Sequence, residues 1–416
     1  MGGLSLDHMR GMVEVLGDPQ RDYPVLHITG TNGKGSTARM VTALLAAHRL
    51  SVGTYTSPHL EHVTERIARN LEPIDPEELA GVLSAIKALE DQAFFSRSPT
   101  HFELLTAAGL AWFSQVAVDV AVVEVGLLGR WDPTNVVDGQ VAVVTNVGHD
   151  HTDGRGDWRR RIAEEKAGII KPGSVLVLGE TDPALRKVFE AEGPAAVWVR
   201  DEDFGVVTDR LALGGHVADL RTPHGLQEEV FLPVHGAHQA DNAAVAVATV
   251  EAFFDRALDP EVVAEAFGGL RLPGRFEVVH RAPLVVLDGA HNPDGAEAAG
   301  ATLAREFDVS GSRHWVIGVL SGRDAGGMLD ELGVRPGDRV VATTPPSPRG
   351  VPAAELAALV SARGIEVAAE PDVGVAVERA WQAAEAAGEG DMVMVTGSLY
   401  TVGSARTACR RLGLLI

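Results

Sequence analysis

The sequence predicts an α/β protein in two parts, a P-loop parallel-sheet domain over residues 1–275 and a smaller Rossmann-like α/β domain over 276–416. Three observations carry that expectation. Short β-branched or apolar runs alternate with longer amphipathic segments along most of the chain, as in parallel strands joined by crossover helices. The first such strand runs straight into a glycine-rich turn containing a lysine, and then into a helix. After RLPGRFEVV (271–279) the alternation starts afresh, which makes 270–283 the expected hinge.

In the first part, VLHIT (25–29), SVGTY (51–55), DVAVVEV (119–125), VAVVTNV (141–147) and SVLVLG (174–179) read as strands. The helices between them are expected over 36–48, 76–92, 102–116 and 158–168. From 196 to 232 the pieces become short, glycine-punctuated and charged, which predicts a small antiparallel appendage. A long alanine-rich helix, 237–255, follows it. In the second part, PLVVLDG (283–289), HWVIGVL (314–320), DRVVATT (338–344) and DMVMVTG (391–397) read as strands. Their helices are expected near 294–307, 352–363, 373–387 and 399–412.

Composition narrows the function. Lys plus Arg number 36 against 57 Asp plus Glu, a formal charge of −21, whereas nucleic-acid and anionic-membrane surfaces need a basic face. No nucleic-acid or membrane partner is expected, and no apolar run is long or uncharged enough to span a bilayer. The single cysteine, Cys409, can form neither an internal disulfide nor a zinc cluster. The expected setting is cytoplasmic, and the expected state is a monomer. Basic residues are almost all arginine, and only Lys34, Lys87, Lys166, Lys171 and Lys187 are lysine, so a retained lysine is a candidate for chemistry that a guanidinium cannot perform.

Gly30-Thr31-Asn32-Gly33-Lys34-Gly35-Ser36-Thr37 lies between strand and helix. In such a turn backbone amides and the helix N-terminus face phosphate oxygens, and the lysine adds a mobile positive charge. The strict pattern G-x-x-x-x-G-K-[ST] is not met, because Ile28 stands at its first glycine and Gly35 follows the lysine. A nucleoside triphosphate is the expected ligand. Glu124 ends an apolar strand before another glycine-rich turn. A buried carboxylate needs a partner, either a magnesium ion or a salt bridge to Arg130. Ligands gather at the carboxyl ends of parallel strands, so Ser57, Glu124 and His151 can converge. His149, two residues before His151, is not assigned to this cluster. Lys166 in EEKAGII either pairs with Glu164 or Asp150 or has a less ordinary role.

The phosphate loop resembles that of the Mur ligase superfamily of ATP-dependent amide-bond ligases. Further motifs resemble its folylpolyglutamate synthase and dihydrofolate synthase branch: TSPHL (56–60), ERI (65–67), HFELLT (101–106), VEVGLLGRWDPTN (123–135) and HDHT (149–152). EEKAGIIKPG (164–173), HQADNAAVA (238–246), LPGRFE (272–277), DGAHNP (288–293) and VTGSLYTVG (395–403) continue the likeness over nearly the whole chain. The resemblance implies ATP-driven addition of L-glutamate to a folate or dihydropteroate carboxylate through an acyl phosphate. It assigns Thr31, Asn32, Gly33, Lys34, Gly35, Ser36, Asn242, Arg275 and Asp288 to ATP, and His291 to orienting phosphoryl group or amine. Ser57 and Glu124 would hold one magnesium ion, and Glu124 and His151 a second, bridged by an N-carboxylated Lys166. Pro58, His59, Phe102, Glu103, Asp132, Pro133 and Thr134 would meet the pterin. Leu128 and Pro133 stand where the family commonly has glycine and alanine, and the chain begins close to the first substrate loop without the family's usual helical leader. These departures leave the choice of pterin acceptor open. A different acid acceptor, or a nucleotide-binding regulator without turnover, are the other two readings.

Overall fold

Alternating apolar runs become three sheets in the computed structural model, which describes residues 5–92, 94–149 and 155–415. The first sheet has eight strands: β1 (Val25–Thr29), β2 (Val52–Tyr55), β3 (Ile67–Arg69), β4 (Glu72–Pro73), β5 (Val120–Glu124), β6 (Gly139–Val144), β7 (Val175–Leu178) and β8 (Ala196–Val199). Their order is β4-β3-β2-β5-β1-β6-β7-β8. All pairings are parallel except those of β3 with β2 and with β4. Strand β1 is buried at every position, as expected where helices cover both faces of a parallel sheet. On one face, helices Lys34–Ala47 and His238–Phe254 pack over Leu26, Ile28 and Val141. On the other, helices Asp7–Val15, Pro76–Asp91 and His101–Gln115 enclose Tyr55, Phe113 and Val123.

An antiparallel sheet of β9 (Gly205–Ala212), β10 (Gly215–Thr222) and β11 (Gly225–Leu232) follows. The third sheet contains β12 (Glu277–Arg281), β13 (Leu284–Leu287), β14 (Arg313–Ile317), β15 (Arg339–Ala342), β16 (Glu366–Ala369) and β17 (Met392–Thr396), in the order β12-β13-β17-β14-β15-β16. Only edge strand β12 runs antiparallel. Separate cores lie on the two faces of this sheet, one around Trp315 and Met394 and one around Val316 and Val395.

Three expectations need correction. Ala196–Val199 belongs to the parallel sheet, not to the antiparallel appendage. It is a half-exposed edge strand, so its text resembles the short pieces that follow it. The segment 270–283 is not a bare connector, because Glu277–Arg281 forms a strand. The start of the chain does carry a helix, Asp7–Val15, whose Met9, Met12 and Val13 are buried against the first domain.

Candidate active site

The carboxyl ends of β1, β2, β5 and β6 converge, with those of β13 and β17 facing them, on one cavity of about 1080 Å³. Strands β5 and β2 lie on one side of β1 and β6 to β8 on the other, so the cavity sits where the strand order changes direction. Ligands of open parallel sheets collect at such a point.

The phosphate loop is fixed from β6. Asn146 Oδ1 accepts the amides of Thr31 and Asn32 at 3.2 and 2.9 Å, and the Thr145 hydroxyl donates to Asn32 O at 2.6 Å. Gly33 caps the following helix at φ +83°, a left-handed conformation that glycine adopts without steric cost. A Cβ there would also lie 2.5 Å from Asn242 Oδ1. Lys34 Nζ donates to the Gly30 and Thr31 carbonyls at 2.8 and 3.0 Å, folding over the loop it serves. Burial lowers its pKa, with the charge of Glu124 opposing that effect.

Glu124 ends β5, is 4% exposed, and accepts the Ser57 amide at 3.0 Å. Burial raises its pKa and the Lys34 charge opposes the rise. Arg130 is engaged elsewhere, donating to Glu192 and to the Glu164 carbonyl, so the alternative of a Glu124–Arg130 salt bridge does not hold. Lys166 is 3% exposed, and burial, with Lys34 nearby, puts its pKa well below that of an ordinary lysine. Glu164 pairs with Arg160 instead. Asp150 and His151 lie outside the described residues, and His149 donates its amide to Asp294 at 2.9 Å.

The second domain closes the other wall. Asp288 accepts the amides of Phe276 at 2.8 Å and Ala290 at 2.9 Å, which sets the turn that presents Arg275 and His291 to the cavity. Asn292 meets the phosphate loop directly, its amide group exchanging bonds of 3.1 and 3.4 Å with that of Asn32. Thr31 to Ser36, Ser57, Glu124, Lys166, Asn242, Arg275, Asp288 and His291 therefore share one cavity.

At the far end Pro58, Phe102, Asp132 and Pro133 line the wall. Three expected pterin residues do not. Glu103 caps its own helix with Thr100 and pairs with Arg97 and His8. Thr134 is wholly buried between His27 and Asp132. His59 accepts from Arg66 Nε at 2.9 Å, so it braces a wall residue instead of forming the wall. Burial and the Arg66 charge lower the His59 pKa, which suits an accepting imidazole. Sequence reasoning missed Arg66, which is 7% exposed at the end of a short 3-10 turn, although the ERI motif that holds it was singled out. It also missed Arg323, Arg349 and Tyr400 on the wall of the second domain.

A magnesium ion fits the donors present. Among the described residues no group of three His, Cys, Asp or Glu could hold a metal ion. Magnesium commonly takes only one or two carboxylates and completes its octahedron with water and phosphate oxygens. The buried Glu124 carboxylate beside the phosphate loop supplies such a ligand. Lys166 as a free amine is a poor one, and becomes suitable only once carboxylated.

A strand-loop-helix phosphate site, a buried acid beside it and a facing second domain define a nucleotide-binding site shared between two α/β domains. The Mur ligase middle domain matches residues 28–250, and the Mur ligase glutamate ligase domain matches 274–399. The chain is 39% identical to the dihydrofolate synthase/folylpolyglutamate synthase of Mycobacterium tuberculosis, over 97% of this chain and 89% of that one. It superposes on the crystal structure of Mycobacterium tuberculosis folylpolyglutamate synthase complexed with ADP and AMPPCP, with TM-score 0.91, 40% identity and coverage of 97% and 95%. The bifunctional folylpolyglutamate synthase/dihydrofolate synthase of Yersinia pestis, complexed with AMPPNP and manganese, gives TM-score 0.85, 32% identity and coverage of 99% and 94%. The chain belongs to the folylpolyglutamate synthase/dihydrofolate synthase family of Mur ligases.

Proposed function

We propose that this ligase joins L-glutamate to the carboxylate of a folate-type acceptor, releasing ADP and phosphate. The observation that carries the reading is one cavity holding a phosphate loop at one end and, at the other, an aromatic and apolar wall of Phe102, Pro133 and Leu128. The backbone amides from Thr31 to Ser36 bind the phosphates, and Lys34 moves from its loop carbonyls to the transferring γ-phosphoryl group. Asn242 and Arg275 hold the rest of the nucleotide, and Asp288 fixes the turn behind Arg275. Magnesium, two ions in this reading, neutralises phosphate charge; Glu124 and Ser57 would hold one and Glu124, His151 and a carboxylated Lys166 the other. The low pKa of Lys166 supports that modification, because only a neutral amine adds carbon dioxide. His291 orients the acyl phosphate or the incoming amine. Closing the two domains, divided at 275/276, excludes the water that would hydrolyse the acyl phosphate. The protein acts as a cytoplasmic monomer; no described helix is long and apolar enough to cross a membrane.

Leu128, at φ +60° on the cavity wall, bears on which pterin is accepted, dihydropteroate, an already glutamylated folate, or both. Phosphate release should require ATP, magnesium, glutamate and one of these acceptors together. Release that is indifferent to both acceptors would overturn the folate reading.

A further inference from the structure

Residues 57–66 form a loop that projects from the first domain, yet its outer side is seated in the second. The amides of Leu60, Glu61 and His62 donate to the Glu65 carboxylate at 2.8, 3.0 and 2.8 Å, which makes the loop one compact piece. Leu60 packs against the core of the second domain that contains Val402. Gly403, in the helix Leu399–Arg411, has no room for a side chain, since a Cβ there would lie 1.8 Å from the Leu60 carbonyl oxygen.

Beside that contact, Glu61 reaches across and its carboxylate takes four donors from the same helix. Arg410 binds both oxygens at 2.9 and 3.0 Å, Arg406 Nη1 donates at 2.5 Å and the Thr407 hydroxyl at 2.9 Å. The Glu61 side chain is 6% exposed. Burial opposes its charge, but the bonds from Arg410, Arg406 and Thr407 outweigh it and hold the carboxyl down to about 2. The network continues, because Arg406 Nε also donates to Glu277, which accepts the amide of Gly274 at 2.8 Å, next to Arg275. The N-terminus of the same helix, Ser398 to Tyr400, lines the cavity.

We infer that Glu61 is a positioning residue that ties the acceptor end of the cavity, through Pro58 and Arg66, to the second domain. The inference rests on the proposed acceptor. Four charge-assisted or hydroxyl donors on one buried carboxylate fix a loop more narrowly than packing alone. Truncating one side of such a cluster leaves the other side's charges unpaired. A small displacement of a substrate-contacting loop acts first on the group that the loop contacts.

The test uses the full-length protein with Glu61→Gln, Arg410→Gln and the double substitution. For each, steady-state constants are measured for acceptor, ATP and glutamate, and amide exchange of residues 57–66 is followed without ligand. Either single change should raise KM for the acceptor about fivefold or more and raise it by clearly more than KM for ATP or glutamate, and the double should be no worse than the worse single. Exchange at Leu60 to His62 should accelerate in the ligand-free protein. If Glu61→Gln does not fold, Arg410→Gln, half-exposed on its helix, carries the test alone. The inference is overturned if all three KM values move together, or if thermal stability falls while acceptor KM and loop exchange stay at wild-type values. A wild-type protein inert with every folate acceptor would instead refute the acceptor, with amide exchange still able to judge the clamp.

Discussion

Glu124→Gln should stabilise the ligand-free protein while abolishing its turnover. The carboxylate is buried, its pKa is raised mainly by burial, and the Ser57 amide is its hydrogen-bonding partner among the described residues. A folded-state pKa above the ordinary value means that stability is lost as pH rises through it, so the ionised form is the one that works against the fold. Glutamine keeps the shape and still accepts from Ser57. Removing an incompletely satisfied buried charge is worth about 1–3 kcal/mol, less whatever attraction to Lys34 disappears. In a domain of this size that corresponds to a rise of roughly 2–6 °C in melting temperature. If Glu124 holds magnesium as proposed, the same change replaces a charged oxygen ligand next to the phosphates with a neutral one, where even supporting groups are worth about 10- to 100-fold. Thermal melting without nucleotide or metal, and phosphate release against magnesium concentration, read the two effects. Arg130→Ala, which disturbs the Glu192 pair, should leave the magnesium dependence near that of the parent. A Glu124→Gln protein that melts lower than the parent, or turns over within about threefold of it at saturating magnesium, would refute the reasoning.

Lys166→Arg should fold but lose at least about 100-fold in turnover, since a guanidinium cannot be carboxylated; near-normal turnover would overturn that role. Leu128→Gly should remove the cost of about 1–2 kcal/mol that a left-handed conformation carries outside glycine and shift the KM ratio between dihydropteroate and glutamylated folate, with an unchanged ratio counting against a wall role. Glu103, held down to about 2 by its bonds from Arg97, Thr100 and His8 although burial alone would raise it, stabilises the fold above the ordinary carboxyl pKa and loses that contribution as pH falls toward 2. Glu103→Gln should therefore melt lower than the parent at pH 7, with the gap shrinking on acidification. A gap independent of pH would contradict the ionic role.

The α/β alternation was legible because fully buried parallel strands read as β-branched runs, as β1 and β5 do. Edge elements were harder: β8 and β12 are half-exposed, so their text resembles loops and turns. The phosphate loop, Glu124 and Lys166 could be read from residue type and position at element ends. Glu103 and Thr134 misled because a helix-capping carboxylate and a buried hydroxyl between His27 and Asp132 have the same side chains as ligand-binding groups. Asn292 and Glu61 were invisible for a different reason. Their roles come from contacts between residues far apart in the chain, such as Glu61 with Arg410, which no local pattern encodes.

The central claim is that this chain forms an amide bond between glutamate and a folate-type carboxylate. Mass spectrometry of the acceptor after incubation with ATP, magnesium and L-glutamate measures that bond directly. The expected result is an acceptor heavier by one or more glutamyl residues, formed in step with ADP, and absent with the Glu124→Gln protein. An unchanged acceptor in the presence of ATP consumption, with either dihydropteroate or a reduced folate supplied, would contradict the account.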